Sequence, residues 1–330
     1  MTIRLSVLDQ SPVITGYSAR DAVAASIDLA RLADELGYHR YWCAEHHGLR
    51  GVCNPCPEVL LARIGAETRR IRIGSGGVML PYYSPFKVAE QFRMLEALYP
   101  GRIDLGVGRA PGTDGRTARL VASGGYDPDR FPGQVMDLIA LTRGPVPPGH
   151  EAAGVPLQPI VETAPEIWML GSSRFGGALA AHLGIRFAFA HFINAQGGDA
   201  VAQDYRDAFR AGPEAEPYCA LAVFVICADN QAEADACAHA VDLRRVEMAY
   251  GVNAPIPSLE QAGRWRPDPE AARIALAERP RSLVGTVGAV TDRLRALQEA
   301  FAADELIVLS VAPSYAARLR TYELLADAFS

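Results

Sequence analysis

The chain is poor in histidine, with 7 in 330 residues, and it has only 6 cysteines. No apolar run approaches the roughly 18 residues that a membrane span needs, so no membrane partner is expected. No cluster of Lys and Arg forms a basic stripe, and the net charge is −6. That balance argues against a nucleic-acid partner. The first residues, Met1-Thr2-Ile3-Arg4-Leu5-Ser6, run straight into a strand pattern and lack the h-region of a signal peptide. The cysteines are scattered through apolar contexts, which fits reduced thiols better than a disulfide framework. The expectation is a cytoplasmic protein. No Gly-x-Gly-x-x-Gly turn follows the first strand pattern, so the usual dinucleotide-binding fingerprint is missing there.

What is present is an alternation of strand and helix patterns, in a chain with 49% hydrophobic and 21% charged residues. Eight short β-rich runs stand out: residues 3–8, 40–44, 72–78, 103–107, 167–170, 187–190, 220–227 and 306–310. Several are continuously apolar, as strands buried on both faces are. The helices between them carry end signals. Ser18 suits an N-cap and Gly37 a stop; Ser84-Pro85 reads as N-cap and first turn, and Pro100-Gly101 as the terminator. Further helices are expected over 57–68, 174–183, 230–250, 289–302 and 314–329. Eightfold alternation predicts an α/β fold, a (β/α)8 TIM barrel forming one domain over residues 1–330. A doubly wound open sheet is the competing reading. Two Pro- and Gly-rich segments exceed a minimal barrel, at 144–165 and 251–282. Long insertions on a barrel tend to be binding loops or lids, and 251–282 is a candidate lid.

Four motifs fall at the carboxyl ends of these strands, where parallel α/β proteins place their chemistry. Glu45-His46-His47 sets two imidazoles, which titrate near neutrality, beside a carboxylate. The bland reading is two surface loop histidines. Gly74-Ser75-Gly76-Gly77 lies inside a strand, marking either a bulge or the close approach of a flat ligand. Arg109 follows Gly106 and Gly108, where its guanidinium suits a phosphate or a neighbouring carboxylate. Ser172 and Ser173 open a helix with Gly176 in its first turn, forming an anion site or a plain cap. Asp9-Gln10-Ser11-Pro12 reads as a turn with an Asx-type hydrogen bond. Cys53-Asn54-Pro55-Cys56 has the spacing of half a zinc site, but no second pair completes four ligands. Asn-Pro is better read as a turn, and no metal is expected.

In their order along the chain these pieces resemble the bacterial luciferase-like flavin monooxygenase family. The matching stretches are Ala33 to Tyr38, Trp42 to His47 and Asn54-Pro55, then Ile73 to Pro81, Ser84-Pro85 and Ala89-Glu90-Gln91. Leu98 to Ala110, Leu170 to Ser173 and Val284 to Gly288 complete the set. The resemblance implies a luciferase-like barrel holding FMN at its carboxyl mouth. It implies that His46 moves protons, with Glu45 or a backbone carbonyl holding it. It implies that Arg109, Ser172, Ser173 and Gly176 bind the phosphate, and that Gly76-Gly77 is a cis peptide beneath the flavin ring. The expected activity is oxygenation of a small organic substrate with reduced FMN and O2. The lack of a nicotinamide motif suggests a separate flavin reductase, and the analogy a homodimer. Two alternatives stay open: hydride transfer with a deazaflavin (coenzyme F420), and a non-catalytic flavin-binding protein. Ser172 and Gly112 differ from the light-emitting members, which argues against luciferase activity.

Overall fold

A computed structural model of the chain describes residues 3–122, 125–143 and 146–330. Strands and helices alternate from the start: β1 (Arg4–Asp9), α1 (Ala19–Glu35), β2 (Arg40–Cys43), α2 (Pro57–Glu67), β3 (Arg72–Met79) and α3 (Pro85–Leu98). Then come β4 (Ile103–Gly108), α4 (Gly115–Val121), α5 (Phe131–Arg143), β5 (Glu166–Gly171), α6 (Arg174–Leu183), β6 (Arg186–Ala190) and α7 (Gly198–Asp207). The last third holds β7 (Cys219–Ala228), α8 (Gln231–Ala249), α9 (Leu259–Arg264), α10 (Pro269–Glu278), β8 (Ser282–Thr286), α11 (Val287–Ala300), β9 (Glu305–Leu309) and α12 (Tyr315–Phe329). Local chemistry sets the ends. Ser18 and Asp21 form a reciprocal capping box at α1, and Gly37 adopts φ +80° just past its end.

The strands β1-β2-β3-β4-β5-β6-β7-β9 pair in parallel, and the β9–β1 contact closes the ring. This is the predicted TIM barrel, and the open sheet is ruled out by that closure. One strand goes beyond the expectation. β8 is not among the eight expected strands; it begins where the 251–282 insertion ends, includes the start of the Val284–Gly288 stretch, and pairs with Phe224–Ala228 of β7. β9 pairs with the preceding stretch, Ala220–Phe224. On one edge the long β7 therefore serves β6 along Cys219–Ala222 and then β8 above the closed ring, while β9 takes the other edge. The 251–282 segment folds as α9 and α10, with Ala271, Ala275 and Trp265 packed on Val246 of α8. Its first residues pin the loop after β1, through Ile256 N–H to Val13 O at 2.7 Å and Thr15 N–H to Ile256 O at 2.8 Å. Gly144 and Pro145, the start of the other excursion, lie outside the described residues; 146–165 forms turns beside α3, where Arg93 Nε donates to Pro159 O at 2.9 Å. No helix among the described residues is long and apolar enough to cross a membrane.

Alternate residues of each strand point to opposite faces. Leu221, Val223 and Val225 of β7 join the core between barrel and helices, whereas Ala220, Ala222, Phe224 and Ile226 face the interior. The middle of that interior is filled by Trp42 and Trp168, edge to face with centroids 5.0 Å apart. Beneath them lies an ionic floor. The fully buried Arg40 binds Glu305 and Asp104, both at 2.7 Å, and its guanidinium lies 4.6 Å from the Trp168 ring. Trp42 Nε1 donates to Asp104 at 2.9 Å, Arg72 adds a bond of 2.7 Å, and Arg186 takes Glu166 at 3.1 Å. Burial alone would raise the Asp104 carboxyl, but Arg40 and Arg72 hold it below the ordinary range. Its stabilising charge is therefore complete at neutral pH and is lost only as acid protonates it below its usual value.

A buried pair that loses one partner leaves an uncompensated charge. Arg40→Met should lower the unfolding free energy by about 3–5 kcal/mol in urea titrations. A loss under about 1 kcal/mol would mean that the floor carboxylates are neutralised without Arg40.

Candidate active site

At the opposite end of the barrel the strand ends surround a cavity of about 300 Å3. Each residue to which the resemblance gives a role lines it: Glu45 and His46 after β2, Gly76 and Gly77 in β3, Arg109 after β4, and Ser172, Ser173 and Gly176 at the β5–α6 junction; His47, Gly74 and Ser75 of the same motifs do not. The remaining wall is mostly apolar, with Leu8, Trp42, Met79, Leu170 and Phe192 among its residues.

The Gly76–Gly77 peptide is cis, and the β3–β4 register shifts between Ser75 and Val78. Neither glycine has room for a side chain. A Cβ on Gly77 would sit 2.3 Å from Leu170 Cδ1 and 2.7 Å from Gly106 O, and one on Gly76 would sit 2.6 Å from Leu8 Cδ1. The bare peptide itself forms that part of the wall.

Arg109 forms no ion pair among the described residues, contrary to the carboxylate-bound alternative. Its guanidinium lies 4.2 Å from the Phe175 ring centroid. Beside it, Ser173 is the N-cap of α6 but its hydroxyl makes no cap hydrogen bond. The first N–H groups of α6 thus keep their capacity for an acceptor. Gly176 packs against Gly171, where a Cβ would meet the Gly171 Cα at 3.5 Å. A permanent cation, free hydroxyls and an open helix end suit a phosphate group.

The two histidines separate by environment. His47 is held: its Nε2 lies 2.7 Å from Glu45 Oε1, and its ring stands edge-on to Tyr82 at 5.9 Å. His46 lines the cavity, and its buried Nδ1 has no partner. Burial chiefly, aided by His47 and opposed by Glu45, pushes His46 down to about 4. Its imidazole is neutral at physiological pH. The expectation that Glu45 or a backbone carbonyl holds His46 is therefore corrected. No hydrogen bond to the His46 ring is present among the described residues. Glu45 instead accepts from the Tyr83 hydroxyl at 2.6 Å and from the Met79 N–H at 2.9 Å, tying the β2 loop to the end of β3. Its short reach to these groups leaves His46 to face the cavity alone. Tyr83 escaped the sequence reading, because only the fold brings it to a residue 38 positions earlier.

The turn readings hold. Ser11 N–H donates to Asp9 Oδ1 at 2.6 Å, and Cys56 N–H to Asn54 Oδ1 at 3.3 Å. Asp9 also meets the buried Arg318 at 2.5 Å. Cys53 and Cys56 are free thiols, and no group of three or more metal-ligating side chains occurs among the described residues.

The geometry thus offers a flat bare peptide, an arginine beside a helix amino terminus with no ion pair among the described residues, and an unpartnered imidazole nitrogen. A planar heteroaromatic group carrying a phosphate fits that set. A two-dimensional NMR titration should show His46 with a midpoint near 4, far from the ordinary imidazole value of about 6.5. A midpoint near the ordinary value would contradict its burial.

Comparison with known proteins agrees with this geometry. Residues 1–304 match the family model described as luciferase-like monooxygenase. The chain is 39% identical over 336 residues to a luciferase-like monooxygenase of Escherichia coli K12, covering 99% of this chain and 97% of that protein. It is 37% identical over 333 residues to the N-acetyl-S-alkylcysteine monooxygenase of Bacillus subtilis 168, covering 99% and 98%. The crystal structure of apo-MsnO8 superposes with a TM-score of 0.90 at 40% identity, covering 99% of this chain and 98% of that one. Two more distant structures share the fold alone. One is the oxygenating constituent of 3,6-diketocamphane monooxygenase in complex with FMN, with a TM-score of 0.71 at 20% identity. The other is an F420-dependent secondary alcohol dehydrogenase, with a TM-score of 0.69 at 13% identity.

Proposed function

Because this chain belongs to the luciferase-like monooxygenase family, we propose that it is an FMN-dependent enzyme that uses O2 to oxygenate a small organic substrate. One observation carries the reading. The unpaired Arg109 and the open end of α6 face the same cavity as Gly76-Gly77 and His46.

Reduced FMN, when bound, supplies the electrons that let one atom of O2 enter the substrate while the other leaves as water. The rest falls to the chain. Arg109, Ser172, Ser173 and the first N–H groups of α6 hold the phosphate, with Gly176 keeping that turn close to the β5 end. Gly76 and Gly77 present bare backbone to the ring, and Leu8 and Trp42 keep water from its surroundings. His46 is neutral, so it can accept a proton on one ring nitrogen and give it up again without a costly buried charge at rest. Its Nε2, which is neither bonded nor buried, is the ring nitrogen that an occupant would reach, while Nδ1 is shut off from solvent. Glu45 positions this machinery through Met79 and Tyr83 and does not act on His46. The 251–282 segment, read as a candidate lid, contributes no residue to the cavity wall, and its α9 and α10 pack on α8.

Reduced flavin would come from a separate reductase, since the chain carries no nicotinamide fingerprint. A homodimer is the expected assembly. Val59 of α2 and Met94 and Leu98 of α3 expose their apolar side chains on one open groove. Sedimentation velocity should show a species of twice the 35.5 kDa chain, and Leu98→Arg should shift it towards monomer. A wild-type protein that sediments as a monomer at micromolar concentration would remove this assignment.

The enzymatic test separates binding from chemistry. Arg109→Met should weaken FMN binding about 10- to 100-fold, the effect of losing a charge-assisted contact. His46→Ala should bind FMN as the wild type does but lose about two to four orders of magnitude in turnover. Equal turnover by His46→Ala under saturating reduced FMN would refute the proton-transfer role. Retention of a deazaflavin, with turnover that consumes no oxygen, would favour hydride transfer. Tight flavin binding without turnover on any substrate would favour a carrier.

A further inference from the structure

Above the closed ring, α8, β8 and α11 enclose a second cavity of about 300 Å3, which shares no lining residue with the first. Both cavities lie along β7: Ala222 lines the first and Ile226 the second, with the buried Phe224 between them on the same face. Four strand residues separate their contact points by about 13 Å.

Two cations on its wall lack anionic partners. Arg245 donates to Ser282 Oγ at 2.6 Å and to Glu278 O at 3.3 Å, and Arg293 donates to Ser282 O at 3.3 Å. Neither guanidinium forms an ion pair among the described residues. Arg279 differs, because both its Nε and Nη2 are on Asp242, at 3.2 and 2.8 Å. The second aspartate, Asp235, accepts from Gln231 at 2.8 Å. Three arginines and two aspartates leave the wall with one net positive charge. Burial is the largest influence on Arg245 and works against its charge, with Asp242 and Glu278 opposing it. An anion in the cavity would offset that cost with an opposite charge. The other side is apolar, formed by Ile226, Ala238, Val241 and Val284.

We propose that this cavity binds a small carboxylate carrying a short apolar body, with its head between Arg245 and Arg293. The forked guanidinium matches a carboxylate's two oxygens. One net charge suits a monoanion better than a phosphate dianion. A volume of about 300 Å3, about ten times the share of one water in the liquid, suits an organic body better than a bare ion. The site does not depend on the flavin reading, since none of its residues touches the first cavity.

The test is calorimetric titration of the full chain with hexanoate, hexanol and inorganic phosphate. Hexanoate should bind saturably, and hexanol and phosphate at least about tenfold more weakly. Arg293→Gln and Arg245→Met should each weaken hexanoate by about tenfold or more, while Arg109→Met should leave it unchanged. Arg293 is exposed, so its variant decides the matter even if Arg245→Met does not fold. The proposal is overturned if the wild type does not bind hexanoate saturably, or if hexanol or phosphate binds as well. It is also overturned if Arg293→Gln binds hexanoate as the wild type does, or if Arg109→Met abolishes binding, which would put the acid in the first cavity.

Discussion

Arg40 is the charge around which the barrel interior is organised. It reaches Asp104 of β4 and Glu305 of β9 from β2, so one side chain crosses the lumen and fixes three strands at their amino ends. A strand that slipped by one residue would turn its inward side chains outward and strand a carboxylate in the core. With the floor fixed, the period of two dictates what lies above it. On β2 the inward residues run Arg40, Trp42, Ala44. On β4 they run Asp104, Gly106, Gly108. Large and small side chains therefore meet in layers, and the top layer is small where the cavity opens.

The two ends of the barrel handle charge in opposite ways. At the floor, the buried carboxylates of Asp104 and Glu305 are met by guanidinium groups, and that network holds the strands together. At the mouth, among the described residues, Arg109 meets no carboxylate and His46 Nδ1 has no partner. The same residue types give rigidity in one place and capacity for a ligand in the other. The difference lies in whether a partner already occupies the position. Asp9 and Arg318 bridge the regimes: they sit at the carboxyl end of β1 but are fully paired, which fixes the loop beside the cavity.

Much of this was legible in the sequence, for reasons of range. All eight ring strands show as local β-rich runs, several of them continuously apolar, and the caps at Ser18 and Gly37 depend on neighbours within a few residues. Strand ends are local too, so the candidate residues at 45–46, 76–77, 109 and 172–176 could be placed at one mouth before any contact was known. β8 was missed because Ser282–Thr286 is short and contains a glycine, and its pairing rests on the unusual length of β7. Two of the three partners of Glu45 were unreadable because they lie 34 and 38 residues away, at Met79 and Tyr83, whereas His47 is only two residues on. The floor has a local signal as well: Arg40, Arg72, Glu166, Arg186 and Glu305 each stand first in their strands, the position that meets the amino end of the barrel.

The double partnership of β7 gives the vessel a lopsided rim. The ring is complete at the stretch shared with β9, and the rest of β7 stands proud of it with β8 at its side. Strand number, tilt and stagger are settled below that level. The raised wall can therefore be lengthened, recut or relined without reopening the circle beneath it. A lineage that needs a new guest can vary the wall and inherit the floor unchanged.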